Sequence, residues 1–176
     1  MKTKLLVRLA IYVAIAAILG WVESMLPPLF AFAPGVKLGL GNLVVLLALV
    51  SMGAWQAAVV LVAKCLFGAL YGGNFFGLLY SLSGGLAGLG ASMLVYYTAG
   101  RRVSIVAIST LSAVVNNAVQ TLIASIVAGA DFVLLFPLTA GASIVAGAGV
   151  GLAVWLIVRL VPEKLLMERM AETKKE

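Results

Sequence analysis

Residues 34–42 read Pro34-Gly35-Val36-Lys37-Leu38-Gly39-Leu40-Gly41-Asn42 and lie between two long apolar runs. Pro34-Gly35 is a turn dipeptide, so the stretch ends one apolar element and begins the next. Gly39 and Gly41 carry no Cβ, which lets another backbone or a ligand approach closely. Lys37 and Asn42 place hydrogen-bond donors at the mouth of the following helix. Two readings are open at this point. The stretch is either a plain connector whose lysine snorkels toward water, or the rim of a binding site. The rest of the chain decides between them.

The 176 residues are 64% hydrophobic and 10% charged, with a mean hydropathy of +1.18. Soluble domains carry about 25% charged residues. A soluble chain of this length has no way to hide so much apolar surface, so the composition predicts an integral membrane protein in the lipid bilayer. The chain is too short for two membrane domains. Its single cysteine, Cys65, sits inside an apolar run, which excludes an internal disulfide or a multi-cysteine metal site. The net charge of +6 is concentrated at predicted helix ends on one side. That is a topology signal and not a nucleic-acid patch.

Working outward from residues 34–42, the pattern predicts an all-α membrane protein of six transmembrane helices. The first apolar run covers residues 5–26 and is long for a signal peptide, so it is read as a retained helix ending at Pro27-Pro28. The later spans are placed at 38–52, 55–71, 75–98, 103–128 and 138–161, with 132–137 at the interface. The second and third are short for a bilayer core of about 30 Å, which predicts tilt or local thinning. Residues 1–161 form one domain and 162–176 a charged, helical tail. Six spans put Lys2, Lys4, Arg8, Arg101, Arg102, Arg159 and the basic tail residues on one side, and leave Lys37 on the other. The positive-inside rule then places both termini in the cytoplasm of a plasma-membrane protein.

Polar groups inside a membrane are costly and mark function by default. In this topology Glu23, Lys37, Asn42, Lys64, Asn74, Ser81, Ser83, Asn116, Asn117, Gln120 and Asp131 lie at mid-depth or toward the outer side. That bias fits a pocket open to the outside better than scattered packing contacts. Ser109, Ser112, Asn116 and Gln120 follow steps of three and four and share one helix face. Interhelical hydrogen bonding is the alternative for that face. For Lys64 the alternative is a salt bridge to Glu23. Gly84/Gly88 and Gly147/Gly151 have the small-xxx-small spacing of close helix packing, and so do Ala10/Ala14. Trp21, Trp55 and Trp155 are read as interfacial anchors.

What is missing is also informative. No G-x-x-x-x-G-K-[ST] occurs, so the chain carries no P-loop of its own. It has no histidine, hence no histidine base or metal ligand. Asp131 is the sole aspartate, so paired aspartate-rich motifs that hold magnesium diphosphate do not exist here. The expectation is a non-enzymatic protein that needs no cofactor, with a binding or permeation role.

The stretch 34–42 resembles the PG-x-KLGL-x-N signature of the Gx transporter family, also catalogued as heptaprenyl diphosphate synthase component I. Gly73-Asn74-Phe75-Phe76, Tyr80-Ser81-Leu82-Ser83-Gly84-Gly85 with Met93, and Asn117 with Gln120 match the same pattern, so the likeness spans about residues 5–160. That family is similar to the S-components of energy-coupling factor (ECF) transporters, small six-helix proteins that bind vitamins from outside. The resemblance implies a membrane scaffold subunit and two cytoplasmic ATPases as partners, and release of the ligand by toppling of the loaded subunit. It also implies that Ala10 and Ala14, which match an A-x-x-x-A pattern, dock helix one on the scaffold.

The resulting expectation is a subunit that captures a flavin, a thiamine precursor or an isoprenoid-linked compound. Glu23, Lys37, Asn42, Lys64, Asn74, Ser83, Asn117 and Gln120 line or lid its pocket. A second expectation is a noncatalytic membrane component tied to prenyl diphosphate and quinone synthesis or to flavin-based extracellular electron transfer. A third is a solitary permease that dimerises through its glycine faces.

Overall fold

The structure is a computed structural model and describes residues 2–25, 39–72, 75–99, 102–128, 134 and 136–161. Among the described residues there are six helices and no strands: α1 (Lys2–Met25), α2 (Leu40–Ser51), α3 (Ala54–Gly72), α4 (Phe75–Ala99), α5 (Ile105–Ala128) and α6 (Phe136–Leu160). Lys2, Lys4 and Arg8 lie in the first two turns of α1. The expected tail at 162–176 lies outside the described residues.

Five of the helices are long and apolar enough to cross a membrane, and α2 is the exception. Its 12 residues rise only about 18 Å, short of a bilayer core. It is instead enclosed by its neighbours, with Gly41, Val44, Val45, Leu46, Ala48, Leu49 and Ser51 buried. It packs on α1, α3, α4 and α6. Of the six expected helices, the second is short as expected, and the third, at 19 residues, is long enough to cross.

Local chemistry fixes the helix ends. Gly39 precedes α2 with φ +80° and Gly53 follows it with φ +108°, both in the left-handed region that favours glycine. The Met52 and Gly53 amides both donate to the Ala48 carbonyl, at 2.8 and 3.0 Å, which turns the chain into α3 within two residues. Ser104 caps α5, its Oγ accepting from the Ala107 amide at 3.1 Å, so α5 starts at Ile105 and not at 103. The expected interfacial segment at 132–137 is corrected at its end: Phe136 and Pro137 form the first turn of α6. Proline is tolerated there because that amide has no helical partner.

Glycines set the packing of α4, α5 and α6. A Cβ on Gly147 would stand 2.8 Å from Thr110 Cα, and one on Gly151 would stand 2.6 Å from Val106 Cα. A Cβ on Gly88 would meet the Ser112 carbonyl oxygen at 2.8 Å. The expected close packing at both glycine pairs is therefore what the structure has. The apolar core runs through α2 and α3, around Leu49, Val60 and Leu61, and takes in Ile108 and Val154. Large apolar side chains cover the outside, among them Leu6, Ile18, Leu70, Phe75 and Leu160, as a bilayer-embedded surface requires.

Candidate functional site: a polar cavity at one end of the bundle

A cavity of about 580 Å³ takes lining residues from all six helices. They come from the C-terminal parts of α1 and α3, the N-terminal parts of α2 and α4, residues 109–120 of α5 and residues 143–150 of α6. Arg8, Arg102 and Arg159 lie at the opposite helix ends. Polar side chains from all six helices thus meet at one concave site.

The first turn of α2 organises one wall. The Gly39 amide donates to Glu23 Oε1 of α1. A carboxylate is favourable there, because a helix N-terminus carries partial positive charge. Lys64 of α3 donates through Nζ to Asn42 Oδ1. A Cβ on Gly41 would lie 3.3 Å from both Cδ and Nζ of Lys64 and 3.5 Å from the Ala16 carbonyl oxygen. Gly41 therefore lets the lysine chain lie across the helix turn. The close approach expected at this glycine is made by a side chain from α3. Glu23 and Lys64, considered as a salt bridge from sequence, each engage α2 in the structure.

The opposite wall belongs to α5. Ser109, Ser112, Asn116 and Gln120 do share a face, and with Asn117 they line the cavity. Ser112 Oγ also donates to the Gly88 carbonyl at 2.9 Å, so this serine ties α5 to α4. Asn116 and Gln120 lie over Gly84, where a Cβ would stand 2.5 Å from Asn116 Oδ1 and 2.7 Å from Gln120 Cγ. Thr121 Oγ1 donates to Asn117 Oδ1 at 3.3 Å. The two readings of this face hold together: Ser112 joins helices, and the amides open onto the cavity.

Of the residues expected at the site, Glu23, Asn42, Lys64, Asn117 and Gln120 line the cavity. Lys37, Asn74 and Asp131 lie outside the described residues. Ser83 is corrected. It is not among the lining residues, and its Oγ turns back to the Leu79 and Tyr80 carbonyls at 2.6 and 3.3 Å. Ser81 lines the cavity in its place. Two helical steps of about 100° put the two serines on opposite faces of α4.

Trp21, read as an anchor, is also a lining residue, and so are Tyr71, Tyr80 and Ser143, which sequence reasoning did not select. Ser143 shares a face with Ala146, Gly147 and Val150 at steps of three and four, a pattern the sequence does carry. Ala10 and Ala14 lie exposed on α1, beside Ile11, Ile15 and Ile18. Among the described residues no group of three or more His, Cys, Asp or Glu side chains is placed to hold a metal.

The family profile described as heptaprenyl diphosphate synthase component I matches residues 12–157. That range covers α2, α3, α4 and α5 entirely, α1 from residue 12 onward and α6 up to residue 157. No curated protein and no solved structure matches the chain.

Proposed function

We infer function from one premise: the chain belongs to the heptaprenyl diphosphate synthase component I family. We propose that it is a membrane-embedded substrate-binding subunit, similar to an ECF S-component, for uptake of a small vitamin-like molecule such as a flavin or a thiamine precursor. The observation that carries this reading is the cavity of about 580 Å³. Pockets that hold small molecules span about 300–1,000 Å³ and combine apolar walls with a few polar groups. Here Asn42, Lys64, Asn116, Asn117 and Gln120 supply those groups inside an otherwise apolar bundle.

In this reading the cavity faces outward and both termini are cytoplasmic. Partner subunits supply the scaffold and the ATPases. The absence of a P-loop in this sequence agrees with energy supplied in trans. Ala10 and Ala14 sit in an exposed apolar face of α1, where small side chains allow another helix to approach closely. Replacing both by leucine is expected to spare ligand binding by the purified protein and to abolish ATP-dependent uptake by cells. Undiminished uptake removes the docking role.

The family description favours a second reading, a noncatalytic membrane component associated with a prenyl diphosphate synthase. One aspartate in the whole chain leaves no aspartate-rich motif for magnesium diphosphate, so synthesis itself falls to a partner. Affinity purification separates the readings: ATPases and a membrane scaffold favour capture, and a soluble prenyl synthase favours the second.

A further inference from the structure

Among the described residues, no fully buried side-chain nitrogen or oxygen lacks a hydrogen-bond partner. Several polar side chains that open onto the cavity have capacity that no described residue pairs. Ser109 is 4% exposed, lines the cavity and makes no side-chain hydrogen bond to the described residues. Asn117 is 7% exposed; Thr121 occupies its Oδ1, and its amide donors have no protein partner among the described residues. The side-chain amides of Asn116 and Gln120 are likewise unpaired and line the same space. A primary amide offers donors and an acceptor side by side, and a hydroxyl offers both. This wall is therefore rich in both kinds of group and carries no charge.

The formal charges of the described lining are Glu23 and Lys64, one of each sign, so they sum to zero. An anion carried into such a site loses its water without gaining net positive charge, which is costly inside a membrane. A diphosphate meets that cost several times over.

Building on the capture reading, we infer that the cavity takes a neutral small molecule presenting donors and acceptors side by side, of the lactam or imide heterocycle class. Phosphorylated and diphosphate compounds are disfavoured. The neutral edge faces Ser109, Asn116, Asn117 and Gln120, and complements groups that have no protein partner.

The test is ligand binding to the full chain in nanodiscs, using matched probes. The pairs are riboflavin with riboflavin 5′-phosphate and thymidine with thymidine 5′-monophosphate. Geranyl diphosphate and the low-mass ultrafiltrate of a cell extract, which holds its small polar metabolites, complete the set. The expected result is that a neutral heterocycle, from the pairs or identified from the extract, binds at least tenfold tighter than its phosphate ester. Ser109→Ala is expected to weaken that ligand about 3- to 10-fold, as the loss of one hydrogen bond does, at unchanged melting temperature. Tighter binding of a phosphate ester or of geranyl diphosphate overturns the ligand class and leaves capture standing. Equal affinity of Ser109→Ala overturns the assignment of the wall. A protein that takes up nothing from the probes or the extract overturns the capture reading as well.

Discussion

Residues 39–42, at the start of α2, and residues 44–49, one turn further along it, do opposite work. In the second segment Val44, Val45, Leu46, Ala48 and Leu49 are buried and fill the core between α1 and α3. In the first, Gly39, Gly41 and Asn42 line a cavity, and their contacts are a carboxylate from α1 and an ammonium from α3. The contrast extends through the bundle. Where side chains interdigitate, buried polar atoms are paired: Ser92 bonds the Gly88 carbonyl at 3.0 Å and Ser51 the Leu47 carbonyl at 2.6 Å. Where the helices part, Ser109 and three amide side chains are left with unpaired capacity. Polar groups kept unpaired in a membrane are expensive, and a ligand that pairs them explains their presence.

Substitutions in the two regions should therefore separate stability from binding. The largest stability effect is expected in the packed part. Leu49 is 1% exposed, and Leu49→Ala leaves a cavity that costs about 2–5 kcal/mol, read by thermal or denaturant unfolding in detergent. Affinity per folded molecule should stay the same. A binding defect as large as the stability defect would erase the distinction between the two ends of α2.

The next effect belongs to the site. Lys64→Ala removes a charge-assisted donor, and hydrogen bonds to charged groups contribute about 1.5–3 kcal/mol. Affinity should fall accordingly, with little change in melting temperature. Unchanged affinity would make Lys64 a structural strut for α2.

A third pair of variants sits at the boundary. Gly84→Ala drives a methyl group against Asn116 and Gln120, so overpacking should cost about 1–3 kcal/mol and weaken binding together with stability. Gly90 has open space around its Cβ position. Gly90→Ala should leave binding intact and raise helix stability by up to about 1 kcal/mol. Equal behaviour of the two alanines would remove the steric account of the α4–α5 seam.

Much of this contrast was legible in the sequence, for physical reasons that differ from residue to residue. Asn117, Gln120 and Lys64 stood out because an apolar helix carries such side chains only at a cost. Gly39 and Gly41 stood out because glycine in a turn before a helix signals an unusual φ or a close approach, and the structure has one of each. The glycine pairs of α4 and α6 announced their packing by spacing alone.

Other features were hidden. Ser83 is at the same expected depth as Ser81, and depth alone does not say which face of α4 a side chain takes. Trp21 was taken as an anchor because tryptophan near a span end has that default reading, and whether its ring also edges a cavity depends on where α2 and α3 lie. Ser143 was masked by its small-residue neighbours, which read as packing. The length of α2 was overestimated because Gly39 looks like part of an apolar run, and only its left-handed backbone shows that the helix begins after it.

The central claim is that the hollow end of this bundle is a small-molecule site. Native mass spectrometry tests it most directly, on the protein in nanodiscs after equilibration with a small-metabolite extract. The account predicts one ligand per chain, of low mass and without phosphate, retained by the wild type and by Leu49→Ala and lost from Lys64→Ala. A wild-type spectrum showing only the bare protein or bound lipid would contradict it.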